Sequence, residues 1–325
     1  MNSGLTIHVA SDFHYAGPAE RKRRDFESQG IANPLWRFLA RFYRRFIWLA
    51  DPLAHHAQLD RFLAAAGPAD LVVANGDYSC DSAFVGVSDA AARESAAECL
   101  GKLRARFGAG LLATIGDHEL GKLSLFGGVG GLRLESWHCA TGNLGLAPFW
   151  EARRGRIVLM GVTSTLIALP VYAREALPAE RPAWQQLRED HLAAIRAAFT
   201  RLREEDRVLL FCHDPTALPF LLEEEAVCRR LDQVLLTVIG HLHSEAVMKA
   251  SRLLAGMPVI NFLGNTPRRL STALRQARAW PRFKARLCPS PSGIQLLKDG
   301  GFLTLTLPEE KERPLRVEFT RLPWT

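Results

Sequence analysis

The sequence predicts an α/β fold whose sheets are internal and covered by helices. Three observations carry that prediction. Short runs rich in Val, Ile and Leu recur along the chain and end in polar loops. Amphipathic stretches of helical period lie between several of them. From about residue 290 the pattern changes to strands joined by tight turns. Strands alternating with helices favour parallel pairing, and near-continuous hydrophobicity marks strands covered on both faces.

The elements follow in order. LTIHVAS (5–11), DLVVANG (70–76) and GLLATIG (110–116) read as buried strands. So do RIVLMGV (156–162), RVLLFCH (207–213), QVLLTVIGH (233–241) and PVINFLG (258–264). A helix is expected over 89–108, closed by Gly108, and another over 182–205, with Pro182 near its start. GIQLL, GFLTLTL and RPLRVEFTRL read as antiparallel strands of the tail. No repeat or low-complexity linker divides the 325 residues, so one domain over 1–325 is expected. Six scattered Cys without a C-x-x-C pair argue against a zinc knuckle or a disulfide framework and for a reducing compartment. The N-terminus lacks a basic n-region, and no apolar stretch is long enough to span a bilayer. A cytoplasmic protein is expected, with room for association at a membrane surface.

The net charge of +7 is concentrated in two places. Residues 20–45 hold eight basic and three acidic residues, and residues 268–286 hold seven basic residues and no acid. Such clusters suit a polyanion, an anionic membrane or a phosphorylated substrate, and the plain alternative is a solvated Arg-rich face.

Polar signals recur at one structural place, the C-terminal end of an apolar run. They are Asp12-Phe13-His14, Asn75-Gly76-Asp77, Gly116-Asp117-His118-Glu119, His213-Asp214 and Gly240-His241-Leu242-His243. In an open α/β sheet such ends share a rim, and ligands bind there. Asp12, His14, Asp77, Asp117, His213, His241 and His243 converging on one rim would repel or stay unpaired without a cation. A dinuclear divalent site satisfies them all. Each piece alone is more often structural; five in order, each after a strand, are not. Imidazole with carboxylate suits Mn, Fe or Zn. His8, His55, His56, His138 and His191 fit no such pattern.

This ordered set resembles the calcineurin-like metallophosphoesterase superfamily, whose pattern runs D-x-H, G-D, G-N-H-[DE], H, G-H-x-H. The resemblance spans residues 12–243. It implies a four-layer α/β/β/α sandwich of two mixed sheets. It implies that Asp12, His14 and His243 hold one ion, that Asp117, His213 and His241 hold a second, and that Asp77 bridges both. His118 matches the catalytic His, which protonates the departing oxygen, and Glu119 orients a ligand or His118 from behind. Two metals about 3.5–4 Å apart then yield a hydroxide that attacks phosphorus in line. Two positions depart from the pattern. Asp117 stands where Asn is usual; it keeps the ligand oxygen, loses an NH2 donor and adds a charge that repels phosphate. Cys80 stands where an Asp often supports the catalytic His, with Asp81 one residue later.

The stretch NPLWRFLARFYRRFIWLADP (33–52), within an insert at about 20–52, reads as a helix between two prolines. Arg37, Arg41, Arg44 and Arg45 fall on one arc with Trp48 among them, opposite Leu35, Phe38, Leu39, Phe42, Phe46 and Leu49. A basic amphipathic helix with Trp and Phe suits a membrane interface or an acyl-chain groove. The plain alternative is a helix covering the core with its arginines in water. The placement is similar to the branch of the superfamily that acts on lipid-linked or nucleotide-linked diphosphates. A phosphoester or diphosphate hydrolase is therefore expected. A nuclease using the Arg-rich stretches and a non-catalytic metal-binding interaction module are the alternatives, and a protein phosphatase is disfavoured for want of a regulatory segment.

Overall fold

The computed structural model describes residues 4–23, 28, 31, 33–48, 56–80, 85–121, 130–262, 265–308 and 314–324. Among these described residues, ten strands form two five-stranded sheets. They are β1 (Leu5–Ala10), β2 (Leu71–Ala74), β3 (Leu111–Ala113), β4 (Phe149–Arg154), β5 (Ile157–Val162), β6 (Arg207–Cys212), β7 (Val234–Ile239), β8 (Ala285–Leu287), β9 (Gly301–Leu307) and β10 (Arg316–Arg321). The first sheet runs β10-β9-β1-β2-β3 and the second β4-β5-β6-β7-β8. β1, β2 and β3 are mutually parallel, as are β5 to β8, while β9 runs antiparallel to β1 and β4 to β5.

Alternation along each strand explains the layering, because successive side chains point to opposite faces. Ile7, Val9, Leu71 and Val73 of the first sheet meet Leu159, Leu209, Phe211 and Val238 of the second in one cluster between the sheets. The alternate residues, Val72, Ala74, Val158, Met160, Val208 and Leu210, pack outward with Ala96, Leu100 and Leu103 or with Trp184, Ile195 and Phe199 of the flanking helices. The result is the four-layer α/β/β/α sandwich.

The helix Ala90–Phe107 is capped by Asp89, whose side chain accepts from Ala92 N, and ends at Gly108 with φ +53°. The helix Arg181–Thr200 stops five residues before the expected end. The tail pairs as expected over 301–307 and 316–321. Two local expectations fail, and two strands, β4 and β8, are not among the expected runs. Residues 258–262 form no strand, because β8 occupies the place beside β7. GIQLL forms turns in which Ile294 N donates to Asp299 and Leu297 N to Ile294 O. The charged edge strand β4 gives no apolar run to read.

Candidate metal centre

The polar motifs all leave the sheets at one rim, and the backbone there is unusual. Seven non-glycine residues have positive φ among the described residues, and five of them are Asp12, His14, Asp77, His241 and His243. The left-handed region costs an L-residue on the order of 1 kcal/mol, and such strain collects at functional sites. Here it turns alternate side chains of D-x-H and H-x-H inward. Asp12 N donates to Gly76 O and His14 N to Asp77 O, both at 3.0 Å, so the exits of β1 and β2 brace each other. Gly116 is needed for close approach: a Cβ there would lie 2.2 Å from Asp77 Oδ1. At Gly240 a Cβ would lie 2.0 Å from Ser11 Oγ and 2.6 Å from Asp12 Oδ2.

The seven expected ligands are brought together. Asp77, Asp117, His213 and His241 place one ligand atom each within 4.8 Å of one another, and so do Asp12, His14 and His243. His14, Asp77 and His118 form a third group, so Asp77 lies between the first two sets. His213 Nδ1 donates to Asn75 O at 2.6 Å. Its Nε2 then faces Asp117 Oδ1 at 2.9 Å and Asp77 Oδ2 at 3.1 Å. In the neutral ring that Nε2 is a lone pair aimed at two carboxylates, an arrangement that only a proton or a cation makes favourable. Burial disfavours the charged ring, but Asp77 and Asp12 outweigh it and push the His213 pKa well above its ordinary value. His241 Nδ1 lies 2.9 Å from the same Asp117 oxygen.

In the other set, His14 Nε2 and His243 Nε2 are 3.1 Å apart and lie 3.9 and 3.5 Å from Asp12 Oδ1. Burial, then His118, pushes the His14 pKa down to about 3, and burial with His14 pushes His243 well below the usual range. Two neutral imidazoles and a carboxylate thus converge on one point. Burial raises the Asp12 carboxyl to about 6 against the pull of His213. Burial and Asp117 also push Asp77 up, but His213 and His118 outweigh them and hold it below the carboxylate range. Both sets suit divalent cations, each with mixed nitrogen and oxygen donors.

His118 differs from the ligands. Its Nε2 is 4.0 Å from Asp77 Oδ2, its ring packs edge-on against His14 at 4.6 Å, and its side chain keeps 16% exposure. Its backbone N donates to Asp77 Oδ1 at 2.9 Å. Glu119 is fully buried and accepts from Asp77 N, Tyr78 N and Gly116 N. It therefore clamps the Asp77 loop to the Gly116 turn. Burial and then Asp77 raise its carboxyl to about 7. Cys80 N lies 3.4 Å from Glu20 Oε2, and Asp81 lies outside the described residues. Sequence reasoning missed the role of Asn75, whose carbonyl fixes the His213 ring. A backbone acceptor leaves no signature in residue type.

The insert helix, Pro34–Tyr43 continuing as Arg44–Trp48, buries no residue of its first segment and so does not cover the core with its apolar side. Arg37 Nε donates to Ile31 O and Arg41 Nε to Ser28 Oγ. Leu35 and Phe38 are each 63% exposed, and Trp36, Leu39, Phe42, Tyr43, Phe46 and Ile47 are exposed as well. Arg45 lies over the Phe46 ring, and the side chains of Arg44 and Trp48 and the whole of Leu49 lie outside the described set. The helix meets the site through a neighbour: Leu296 N donates to Ile47 O, and Ser290 N, earlier in the same segment, donates to His243 O.

In motif order and in the convergence of the motif side chains, the chain resembles the calcineurin-like metallophosphoesterases. No protein-family model and no curated protein matches it by sequence. Among solved structures it is similar to phosphopantetheinyl hydrolase from Mycobacterium tuberculosis, at TM-score 0.35 and 15% identity over 75% of this chain and 84% of that one. A protein of Staphylococcus aureus named as a 5′-nucleotidase gives TM-score 0.37 and 11% identity over 98% of this chain. This chain spans about half of that one, 53%. GAP50, the anchor in the inner membrane complex of Plasmodium, gives 0.35 and 8% over 99% of this chain and 90% of that one. Likenesses this loose carry no argument about activity, which rests on the site itself.

Proposed function

We propose that the protein is a dinuclear metal-dependent phosphoester hydrolase acting on a phosphodiester or diphosphate, lipid-linked or nucleotide-linked. The observation that carries the proposal is the gathering of three carboxylates and four imidazoles into two adjoining sets that share a rim. Asp12, His14 and His243 would hold one divalent ion and Asp117, His213 and His241 the other, with Asp77 between them. Mn, Fe and Zn all suit these donors. When bound, the ions supply Lewis acidity toward phosphoryl oxygens and an activated water at neutral pH.

The chain's own residues do the rest. His118, beside the ions and partly open to solvent, donates a proton to the departing oxygen. Glu119 fixes the loop that aims Asp77. Asp117 holds its ion at the cost of a negative charge facing the phosphate. The exposed apolar flank of the helix over 34–48, linked through 290–296 to His243, supports a substrate or surface of lipid character. Among the described residues no helix is long and apolar enough to cross a membrane, so such contact would be at the interface.

The test is a panel assay on Mn-reconstituted protein with a chromogenic phosphodiester, a phosphomonoester, a nucleoside diphosphate sugar and single-stranded DNA. Metal-dependent turnover of the diester or diphosphate is expected. Turnover of DNA alone, with steep salt dependence, would support the nuclease instead. Metal binding without any turnover would leave an interaction module. Cosedimentation with anionic vesicles, compared between wild type and Phe38→Ser/Phe42→Ser, reads the lipid component, and equal sedimentation of the two would remove it.

A further inference from the structure

A groove of about 700 Å³ opens at one side of the sandwich, where residues of the edge strand β8 line it together with residues of β9 and β10 of the other sheet. Its floor is apolar. Met248, Leu287, Leu303 and Leu236 are buried there, and Phe319 is 43% exposed. Its walls are basic: Lys249, Arg252, Lys284 and Arg286 line it, against Glu245 and Asp299. None of the seven candidate metal ligands belongs to the lining. Clefts of about 300–1,000 Å³ with an apolar lining and a few polar groups are the usual form of small-molecule sites.

One wall is built by helical period. Glu245, Met248, Lys249 and Arg252 stand at i, i+3, i+4 and i+7 of the helix Glu245–Leu253, so a single stripe of that helix faces the groove. The strand side breaks the pattern of the sheet. Arg286 pairs with Val238 in the register of β7 and β8, and Val238 belongs to the cluster between the sheets. Paired residues of neighbouring strands share a face, so Arg286 takes an inter-sheet position where Leu159, Phe211 and Val238 stand on the other strands. Its side chain is exposed, and neither it nor that of Lys249 makes a hydrogen bond or ion pair among the described residues. Arg252 Nη2 donates to Ala285 O at 3.0 Å and Lys284 Nζ to Val234 O at 2.6 Å, so these two charges meet backbone and no carboxylate among the described residues.

The charges are sorted along the groove. Asp299 accepts from Ser244 Oγ, and Ser244 follows His243, so the acidic end adjoins the metal centre. Glu245 begins the helix at that end. Arg252 lies seven residues on, about 10 Å along the helix axis. Lys284 stands just before β8, while the chain after β8 leads back to the metal centre, where Ser290 N donates to His243 O. The basic end therefore points away from the metals. Cations over an apolar floor complement a ligand that brings both a negative head and an apolar body.

We propose that this groove is a binding site, separate from the metal centre, for a small acidic amphiphile: a carboxylate or phosphate on a hydrocarbon body. The head lies among Lys249, Arg252, Lys284 and Arg286, and the body along Met248, Leu303 and Phe319. A guard against edge-to-edge strand pairing would account for Arg286 alone. It would not account for Lys249 and Arg252 on the helix stripe that faces the same groove.

The test is calorimetric titration of the full Mn-loaded chain with decanoate, decyl phosphate, decanol and acetate, each amphiphile below its micellar range. Decanoate should bind at least about tenfold more tightly than decanol, which lacks the charge, and than acetate, which lacks the body. Lys249→Gln/Arg286→Gln should weaken decanoate binding at least about tenfold. Both residues are exposed, so the substitutions leave the core untouched, and thermal melting checks this. Phe319→Ser should weaken it several-fold, and Arg286→Lys less than Arg286→Gln. Phe38→Ser/Phe42→Ser, on the insert helix, should bind as wild type. Of decanoate and decyl phosphate, the one that binds more tightly and is weakened by the Lys249→Gln/Arg286→Gln change identifies the head group. Wild type that binds neither acid, or a double variant that binds both as tightly as wild type, overturns the site. Loss confined to Phe38→Ser/Phe42→Ser would put the ligand on the insert helix and overturn it too. So would a dimer that closes the groove to decanoate, which would assign it to a second copy of the chain. None of these outcomes bears on the hydrolase, whose metal ligands lie outside the groove.

Discussion

Gly116→Ala perturbs the centre at its tightest point. The glycine has no left-handed φ, so alanine suits its backbone and the effect is steric alone. The added Cβ would stand 2.2 Å from Asp77 Oδ1 and 2.4 Å from Asp77 N, against ordinary contact beyond 3.4 Å. Asp77 or the turn at 116–117 must yield by roughly 1 Å, and a shift of that size at a reacting centre costs on the order of a hundredfold in rate. Glu119 Oε2, 2.9 Å from the same Cβ, ties the two loops together, so neither moves freely. Overpacking of this kind costs about 1–3 kcal/mol, which lowers Tm by several degrees. The control is Gly101→Ala, in the helix Ala90–Phe107 with nothing within 4 Å of its Cβ, which should gain about 0.5–1 kcal/mol. Thermal melting and elemental analysis of both variants check this. A Gly116→Ala protein that melts like wild type and holds the same metal would show that Asp77 does not lie against this turn.

Three further outcomes are expected. His118→Ala should keep its metals and lose at least about a hundredfold in turnover on esters with poor leaving groups, but less on nitrophenyl esters; equal losses would remove the general-acid role. Asp117→Asn should weaken metal binding, because the Asp117 oxygen lies 2.9 Å from both His213 Nε2 and His241 Nδ1, and should lower KM, because a donor replaces a charge. Unchanged affinity and kinetics would take Asp117 out of the site. His191 is buried, accepts from Thr163 N at 3.1 Å, and has its pKa pushed down to about 3 by burial. Below about pH 6.5 the unfolded chain binds a proton that the folded chain refuses, so stability falls by about 1.4 kcal/mol per pH unit as pH drops. Denaturant titrations at pH 7 and pH 5 should show wild type losing about 2 kcal/mol more than His191→Gln over that range, and parallel losses would contradict the assignment.

The centre was legible in the sequence because its ligands sit in short motifs directly after apolar strands, where residue type and position agree. The layered fold was legible for the same reason: β1, β2, β5, β6 and β7 are continuous apolar runs. What stayed hidden depends on pairing. Residues 258–262 look like a strand, yet Ala285–Leu287 takes the sheet position. The helical wheel of 34–48 separates arginines from apolar residues but cannot say which side faces the body. That depends on Ile31 O and Ser28 Oγ, which accept from Arg37 and Arg41. The groove beside β8 joins residues far apart in sequence, with no shared motif to announce them.

The central claim is that these seven side chains hold two cations. Elemental analysis of Mn-reconstituted, desalted protein, run beside Asp77→Asn, tests it most directly. The geometry predicts about two ions per chain in wild type. It predicts a larger loss in Asp77→Asn than in any other single ligand variant, because Asp77 belongs to the group around His213 and to that around His14. Wild type that retains no metal, or an Asp77→Asn variant that retains as much as wild type, would contradict the account.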